Sequence, residues 1–158
     1  MADNASTGRF TGQHFTLVER TIAEDARPED AIRDLAREGI KFVIADLDAP
    51  LLISATSAPV GDGVLFLNAR APDDALRNEA CRTNLLHTIP SRAKLADALA
   101  EYLMTKRWRR WFLVIGSAPG DRLQTEAFRR AAKRFGAEIL TKRIGLSSPV
   151  MRARIQAT

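Results

Sequence analysis

A chain of 158 residues that is 46% hydrophobic and 27% charged can bury a real core, which excludes a disordered polymer. No apolar run approaches the roughly 20 residues of a membrane helix, and the one cysteine, Cys81, excludes an internal disulfide or a cysteine-rich zinc site. The net charge is +5, concentrated at Lys106, Arg107, Arg109 and Arg110 and at Arg129, Arg130, Lys133 and Arg134; the first group suits a helix C-terminus and the second a solvated helix face, better than any nucleic-acid motif.

Residues 1–13 read as a helix end and a loop, broken by Gly8 and Gly12. Residues 14–20 set Phe15, Leu17 and, in part, Val18 against polar neighbours, which predicts a strand near a sheet edge. Pro28, Glu29 and Asp30 open a helix over 28–38 with Ile32, Leu35 and Ala36 on its buried stripe, and Gly39 ends it. The near-continuous apolar run 40–45 predicts a strand covered on both faces. Asp48 is placed to cap a short helix through Leu51, Leu52 and Ala55. Strands follow at 64–68 and 85–88, separated by a polar helical turn at 75–79. Ser91 is a good N-cap for a helix to Thr105, with Leu95, Leu99, Tyr102 and Leu103 on one face.

The most organised stretch comes last. Residues 111–115 are a short β-branched apolar strand stopped by Gly116, Ser117 to Gly120 form a tight turn, and Asp121 with Gln124 makes a capping-box pattern. Leu123, Ala127, Phe128, Ala131, Ala132 and Phe135 share one helical face, Gly136 suits a left-handed C-terminal position, and 137–140 start another strand. Strand, helix and strand of this kind form a βαβ unit, so the fold class is α/β: one parallel sheet holding 40–45, 64–68, 85–88 and 111–115, flanked by helices.

Catalytic motifs are absent. The turn at 116–121 is neither a dinucleotide fingerprint nor a P-loop, and Asp121 would repel an anion at the helix entrance. There is no nucleophile elbow, and Ser91, His87 and Asp73 can be drawn as a triad without any local motif behind them. Asp46 and Asp48 could hold a metal or serve acid–base chemistry, but capping by Asp48 is the plainer reading. No catalytic residue, metal or cofactor is expected. Open α/β sheets instead bind ligands outside the carboxyl ends of their strands, here at 46–48, 68–70, 87–91 and 116–117. These ends offer hydroxyls, amides, one arginine and two carboxylates, which suits a small polar ligand.

Residues 68–77 (NARAPDDALR), 81–99 (CRTNLLHTIPSRAKLADAL) and 106–114 (KRWRRWFLV) resemble the type I solute-binding proteins of ABC transporters. Within these they are similar to the branch associated with PQQ-dependent alcohol oxidation in bacteria, which is related to the branched-chain amino-acid binding proteins. Residues 4–13 and 133–137 resemble helix ends of the same family. The resemblance implies two α/β lobes around a cleft, export to the periplasm, a small-molecule solute and permease subunits as partners. It also implies an incomplete first lobe over 1–143, with 144–158 an irregular tail or the start of a second lobe. Carried over by position, the ligand-facing residues are Asp46, Asp48, Asn68, Ala69, Arg70, Thr88, Pro90 and Ser91.

The leading expectation is therefore a non-catalytic solute-binding component, or a truncated remnant of one, prone to self-associate through unpaired strand edges. The alternatives are a small α/β enzyme using the strand-end loops, and a basic adaptor for nucleic acid or an acidic partner. Nothing in the sequence reads as a signal peptide, so a chain complete as written would be cytoplasmic.

Overall fold

Short parallel strands organise the first part of the chain. The computed structural model describes residues 8, 10–14, 16–23, 26–59 and 63–140. Strand β1 (Phe42–Ala45) pairs with β2 (Leu65–Asn68), and β2 with β3 (Leu85–His87), all parallel. The register aligns Val43 with Phe66 and Leu85, Ile44 with Leu67 and Leu86, and Ala45 with Asn68 and His87. Alternation does the rest. Ala45, Phe66, Asn68 and Leu85 are buried, while Phe42, Ile44 and Leu86 stand on the opposite face, 69%, 65% and 50% exposed.

Two helices belong to this part. Helix α1 (Pro28–Arg37) starts with Pro28 at a position that needs no N–H, carries Glu29 and Asp30 in its first turn, and buries Ile32 and Leu35. Helix α2 (Ala49–Thr56) buries Leu52, Ala55 and Thr56. The Ser54 hydroxyl of α2 donates to the Glu29 carboxylate of α1 and ties the helices together. That bond holds the Glu29 carboxyl below its ordinary value of 4.5. Asp30 is held below 3.8 by Arg33 first and Arg27 second.

The strand expected over 14–20 does not form: residues 14 and 16–20 are exposed and join no ladder among the described residues. Leu17 and Val18 are adjacent, so the alternation fails after three positions. Arg20 is instead clamped on the Glu38 carboxylate at 2.9 and 3.0 Å, just past the end of α1.

Compactness divides the chain into two units, Met1–Ala71 with Glu79–Thr88, and Pro72–Asn78 with Ile89–Thr158. The second unit holds a 3-10 turn (Asp74–Arg77), helix α3 (Arg92–Thr105), strand β4 (Arg110–Phe112), helix α4 (Pro119–Phe135) and strand β5 (Glu138–Leu140). Strands β4 and β5 pair in parallel as a separate two-stranded sheet. The expected single sheet is thus corrected: among the described residues, 110–112 pair with 138–140 in a sheet of two strands.

Helices α3 and α4 meet through small residues. Ala96, Ala100, Ala127 and Ala131 are buried together, with Trp111, Phe128 and Phe135 packed against them. Two members of the basic cluster lock the pair: Arg130 and Arg134 each reach Asp97 at 2.7 Å. Helix α4 begins two residues before the expected 121, because Pro119 takes its first turn. Asp121 then accepts from the Ala118 N–H at 2.9 Å from within the helix, rather than standing before it. Gly136 ends α4 in the left-handed region at φ 73°. Residues 144–158, expected to be an irregular tail, lie outside the described residues.

Two measurements test this account. Depressed carboxyl values in α1 mean that the native state binds fewer protons than the unfolded chain. The stability they contribute is fully present above the ordinary values of 4.5 and 3.8 and is lost as pH falls through the lower native ones. A Glu29→Gln/Asp30→Asn variant should therefore show a flatter decline of denaturant stability below about pH 4.5 than the parent. Arg107 also sits in the left-handed region at φ 62°, where glycine belongs. Arg107→Gly should raise stability by about 0.5–1 kcal/mol in chemical denaturation, and a loss would show that the Arg107 side chain holds the turn.

Candidate functional site

In the first unit the ends of β1, β2 and β3 deliver polar side chains to one end of the sheet. Asp46 follows β1 directly. Asp48 occupies the N-cap position of α2, as expected, but its carboxylate makes no capping bond. It faces Arg70 instead, with Nε 3.4 Å from Asp48 Oδ1, while Arg70 Nη1 stands 3.7 Å from Asp46 Oδ1. A guanidinium held between two carboxylates offers more than a cap, since Pro50 already removes one first-turn N–H from α2. All three side chains are more than half exposed, so the attraction is loose and screened.

Asn68 is the opposite case, a fully buried amide at the end of the central strand. Its Oδ1 accepts from the N–H groups of Arg70 and Ala71 at 3.1 and 2.9 Å, and its Nδ2 donates to Ala71 O at 2.7 Å and lies 3.0 Å from His87 Nδ1. Ala69 is exposed, and its N–H reaches Ala45 O at 3.1 Å, joining the exits of β1 and β2. Exposed Thr88 turns both its N–H and its hydroxyl back onto Asn68 O, at 3.1 and 2.8 Å. Asp46, Asp48, Asn68, Ala69, Arg70 and Thr88 thus share one sheet end.

Pro90 and Ser91 belong to the second unit. Pro90 is exposed. Ser91 is buried and accepts from the Lys94 N–H at 3.3 Å, the cap expected for α3. The neighbouring first-turn donors are also used: Arg92 N–H on Pro72 O at 2.8 Å and Ala93 N–H on Asp74 Oδ1 at 3.2 Å. Arg92 and Asp73 form a largely buried pair at 2.8 Å. The drawn triad is therefore dispersed among three duties, since Ser91 caps α3, Asp73 holds Arg92 and His87 faces Asn68.

His87 is the residue that sequence reasoning undervalued. Its placement follows from register alone, because parallel pairing sets Asn68 beside His87. Among the described residues no cluster of three or more His, Cys, Asp or Glu could hold a metal ion, and no helix is long and apolar enough to cross a membrane. Near the end of β4 a separate cavity of about 490 Å³ is lined by Ser117, Pro119, Arg122, Leu123 and Glu126.

No protein-family model and no curated protein matches the sequence. Solved structures do. The chain is similar to an ABC transporter substrate-binding protein from Desulfitobacterium hafniense, at 22% identity and a TM-score of 0.69, over 88% of this chain and 42% of that one. A structure described as the same organism's ABC transporter substrate-binding protein in complex with Leu matches at 20% identity and a TM-score of 0.69, over 88% and 43%. A branched chain amino acid ABC transporter periplasmic ligand-binding protein from Burkholderia xenovorans LB400 matches at 16% identity and a TM-score of 0.68, over 87% and 39%. At such identities the likeness is one of fold: this chain has the α/β fold of part of a periplasmic binding protein. It spans about two fifths of the length of these proteins.

The capping assignment of Ser91 has a direct check. Ser91→Ala removes the acceptor for Lys94 N–H inside a buried helix end and should cost about 1 kcal/mol, within roughly 0.5–2, in denaturant unfolding. Ser91→Asp, which keeps an acceptor, should recover part of that loss.

Proposed function

We propose that this chain is the solute-binding component of an ABC transporter, or a segment of one, and that it binds a small polar solute without catalysing its conversion. The observation that carries this reading is the convergence of Asp46, Asp48, Arg70 and Thr88 at the carboxyl end of the three-stranded parallel sheet, where such sheets receive ligands. The fold likeness supports it. Ala69 would offer backbone at the same end, and Pro90 and Ser91 shape the start of α3. On this reading the partners are a small molecule and permease subunits, and the working compartment is the periplasm. The wording of residues 81–99 further favours the branch associated with PQQ-dependent alcohol oxidation.

The site has a chemical logic. Arg70 presents donors for an acceptor group on the solute, and Asp46 and Asp48 present acceptors for its hydroxyl or ammonium groups. A two-lobed binder closes on its solute with residues from both lobes, and this chain spans only 42% of the first similar structure. Each charged hydrogen bond left unmade costs about 1.5–3 kcal/mol, so the chain alone should bind more weakly than a complete binder by orders of magnitude. The outer edges of β1 and β3, unpaired among the described residues, also favour self-association.

Calorimetric titration with small carboxylates, alcohols and amino acids, L-leucine among them, tests the reading. We expect binding weaker than micromolar, weakened a further tenfold or more by Arg70→Ala. Binding that Arg70→Ala and Asp48→Ala leave unchanged would remove the strand-end site. A monodisperse monomer with submicromolar affinity would show a self-sufficient binder.

A further inference from the structure

We propose that Asn68 is a positioning residue: it sets the turn that presents Arg70 to the solute and makes no contact with the solute itself. The importance of Arg70 rests on the binding reading above, whereas the positioning rests on the hydrogen bonds of Asn68 and stands apart from it. Position alone marks Asn68 as a ligand contact, because it ends the central strand. Burial and bonding give it a different task.

The amide has no capacity left. Its oxygen accepts two backbone N–H groups, those of Arg70 and Ala71. Two N–H groups aimed at one atom require that atom to be oxygen, so the amide cannot be flipped. The nitrogen must then supply both of its hydrogens elsewhere, one to Ala71 O at 2.7 Å and one toward His87 Nδ1 at 3.0 Å. A donor facing Nδ1 makes that ring nitrogen an acceptor and places the ring proton on Nε2. With Asn68 fully buried, no atom of the amide is open to a solute.

What the amide fixes is the path of the chain from Asn68 to Ala71. Three of its four bonds end on that turn, and the fourth braces it against β3. The Ala69 N–H on Ala45 O holds the same turn against the exit of β1, immediately before Asp46. Arg70 is thereby delivered between Asp46 and Asp48, at 3.7 and 3.4 Å, while its guanidinium makes no hydrogen bond among the described residues. A fixed backbone under a loosely held, half-exposed guanidinium is an arrangement that orients a donor without consuming it.

The test is made without ligand, so it fails or succeeds separately from the titrations above. Amide hydrogen exchange, the Arg70 Nε–H resonance and imidazole nitrogen–proton correlations are recorded for the parent chain, Asn68→Ala and Asn68→Asp. In the parent, the Arg70 and Ala71 amides should be protected and His87 should carry its proton on Nε2. Asn68→Ala should speed exchange of both amides at least about tenfold and shift the Arg70 resonance. Asn68→Asp keeps the oxygen that accepts both N–H groups but sets a second acceptor against Ala71 O and His87, so protection should persist in part while His87 moves its proton to Nδ1. The tautomer exchange reports the bond between Asn68 and His87, and the Arg70 resonance is the readout that a role confined to packing would leave unmoved. Should Asn68→Ala fail to fold, the parent and Asn68→Asp still decide the matter. Parent amides at Arg70 and Ala71 that exchange like open loop, or a His87 tautomer unmoved in Asn68→Asp, would overturn the proposal.

Discussion

A primary amide buried at the end of a strand has two donors and two acceptor sites, and each one left unmade costs about 1–3 kcal/mol. At Asn68 that requirement turns into geometry. Oδ1 can be satisfied only if the chain folds back so that the Arg70 and Ala71 N–H groups converge on it, and the amide nitrogen only if Ala71 O and His87 are in place. The exit of β2, the register of β3 and the direction of Arg70 are linked through one side chain. Thr88 extends the linkage by spending both its donors on Asn68 O.

The helix starts show how one residue type takes different duties. Asp48 and Ser91 both occupy N-cap positions, yet only Ser91 caps. Ser91 is buried with a short side chain and has no competing partner among the described residues, so its oxygen turns onto the helix. Asp48 is exposed and charged, and a guanidinium within 3.4 Å is a better partner for a carboxylate than a partly depleted set of N–H groups. Asp121 takes a third route and closes back from inside the first turn of α4. Capping is thus a competition decided by burial and by the nearest opposite charge, and neither is visible in a local motif.

The same distinction governs what could be read from sequence. Periodicity found α1, α3 and α4 and the five strands of the described residues to within a few positions, because the apolar pattern of each marks the face it buries. The α3 start at Ser91 and the glycine end of α4 at Gly136 were legible for the same reason. The segment 14–20 was misread because a strand exists only when another strand pairs with it, and alternation does not say whether one does. The βαβ unit of 111–115 and 137–140 was legible in the same way as the helices, whereas grouping it with the other strands in one sheet was not, since which strands share a sheet is tertiary. At the sheet end, chain position grouped Arg70 with Asp46 and Asp48, whose carboxylates stand 3.7 and 3.4 Å from its guanidinium. It could not tell an exposed arginine from a buried asparagine two residues earlier, and it left His87 unconnected.

The interface between α3 and α4 is built almost wholly from side chains that are already minimal. Ala96, Ala100, Ala127 and Ala131 lie between 0% and 6% exposed, and their single methyl groups set how near the two helix axes come. An interface of this kind is invisible to truncation: an alanine scan passes over it without a reading, although it closes the core of its unit. Its vulnerability is one-sided. Any larger side chain at these four positions adds atoms where none fit, so tolerated variation there narrows to alanine, glycine and serine, while Trp111, Phe128 and Phe135 around them can exchange with other large apolar residues. A map of permitted substitutions would therefore show four narrow columns at the spacing of two facing helices, marking an α3–α4 contact that removal experiments leave unmarked.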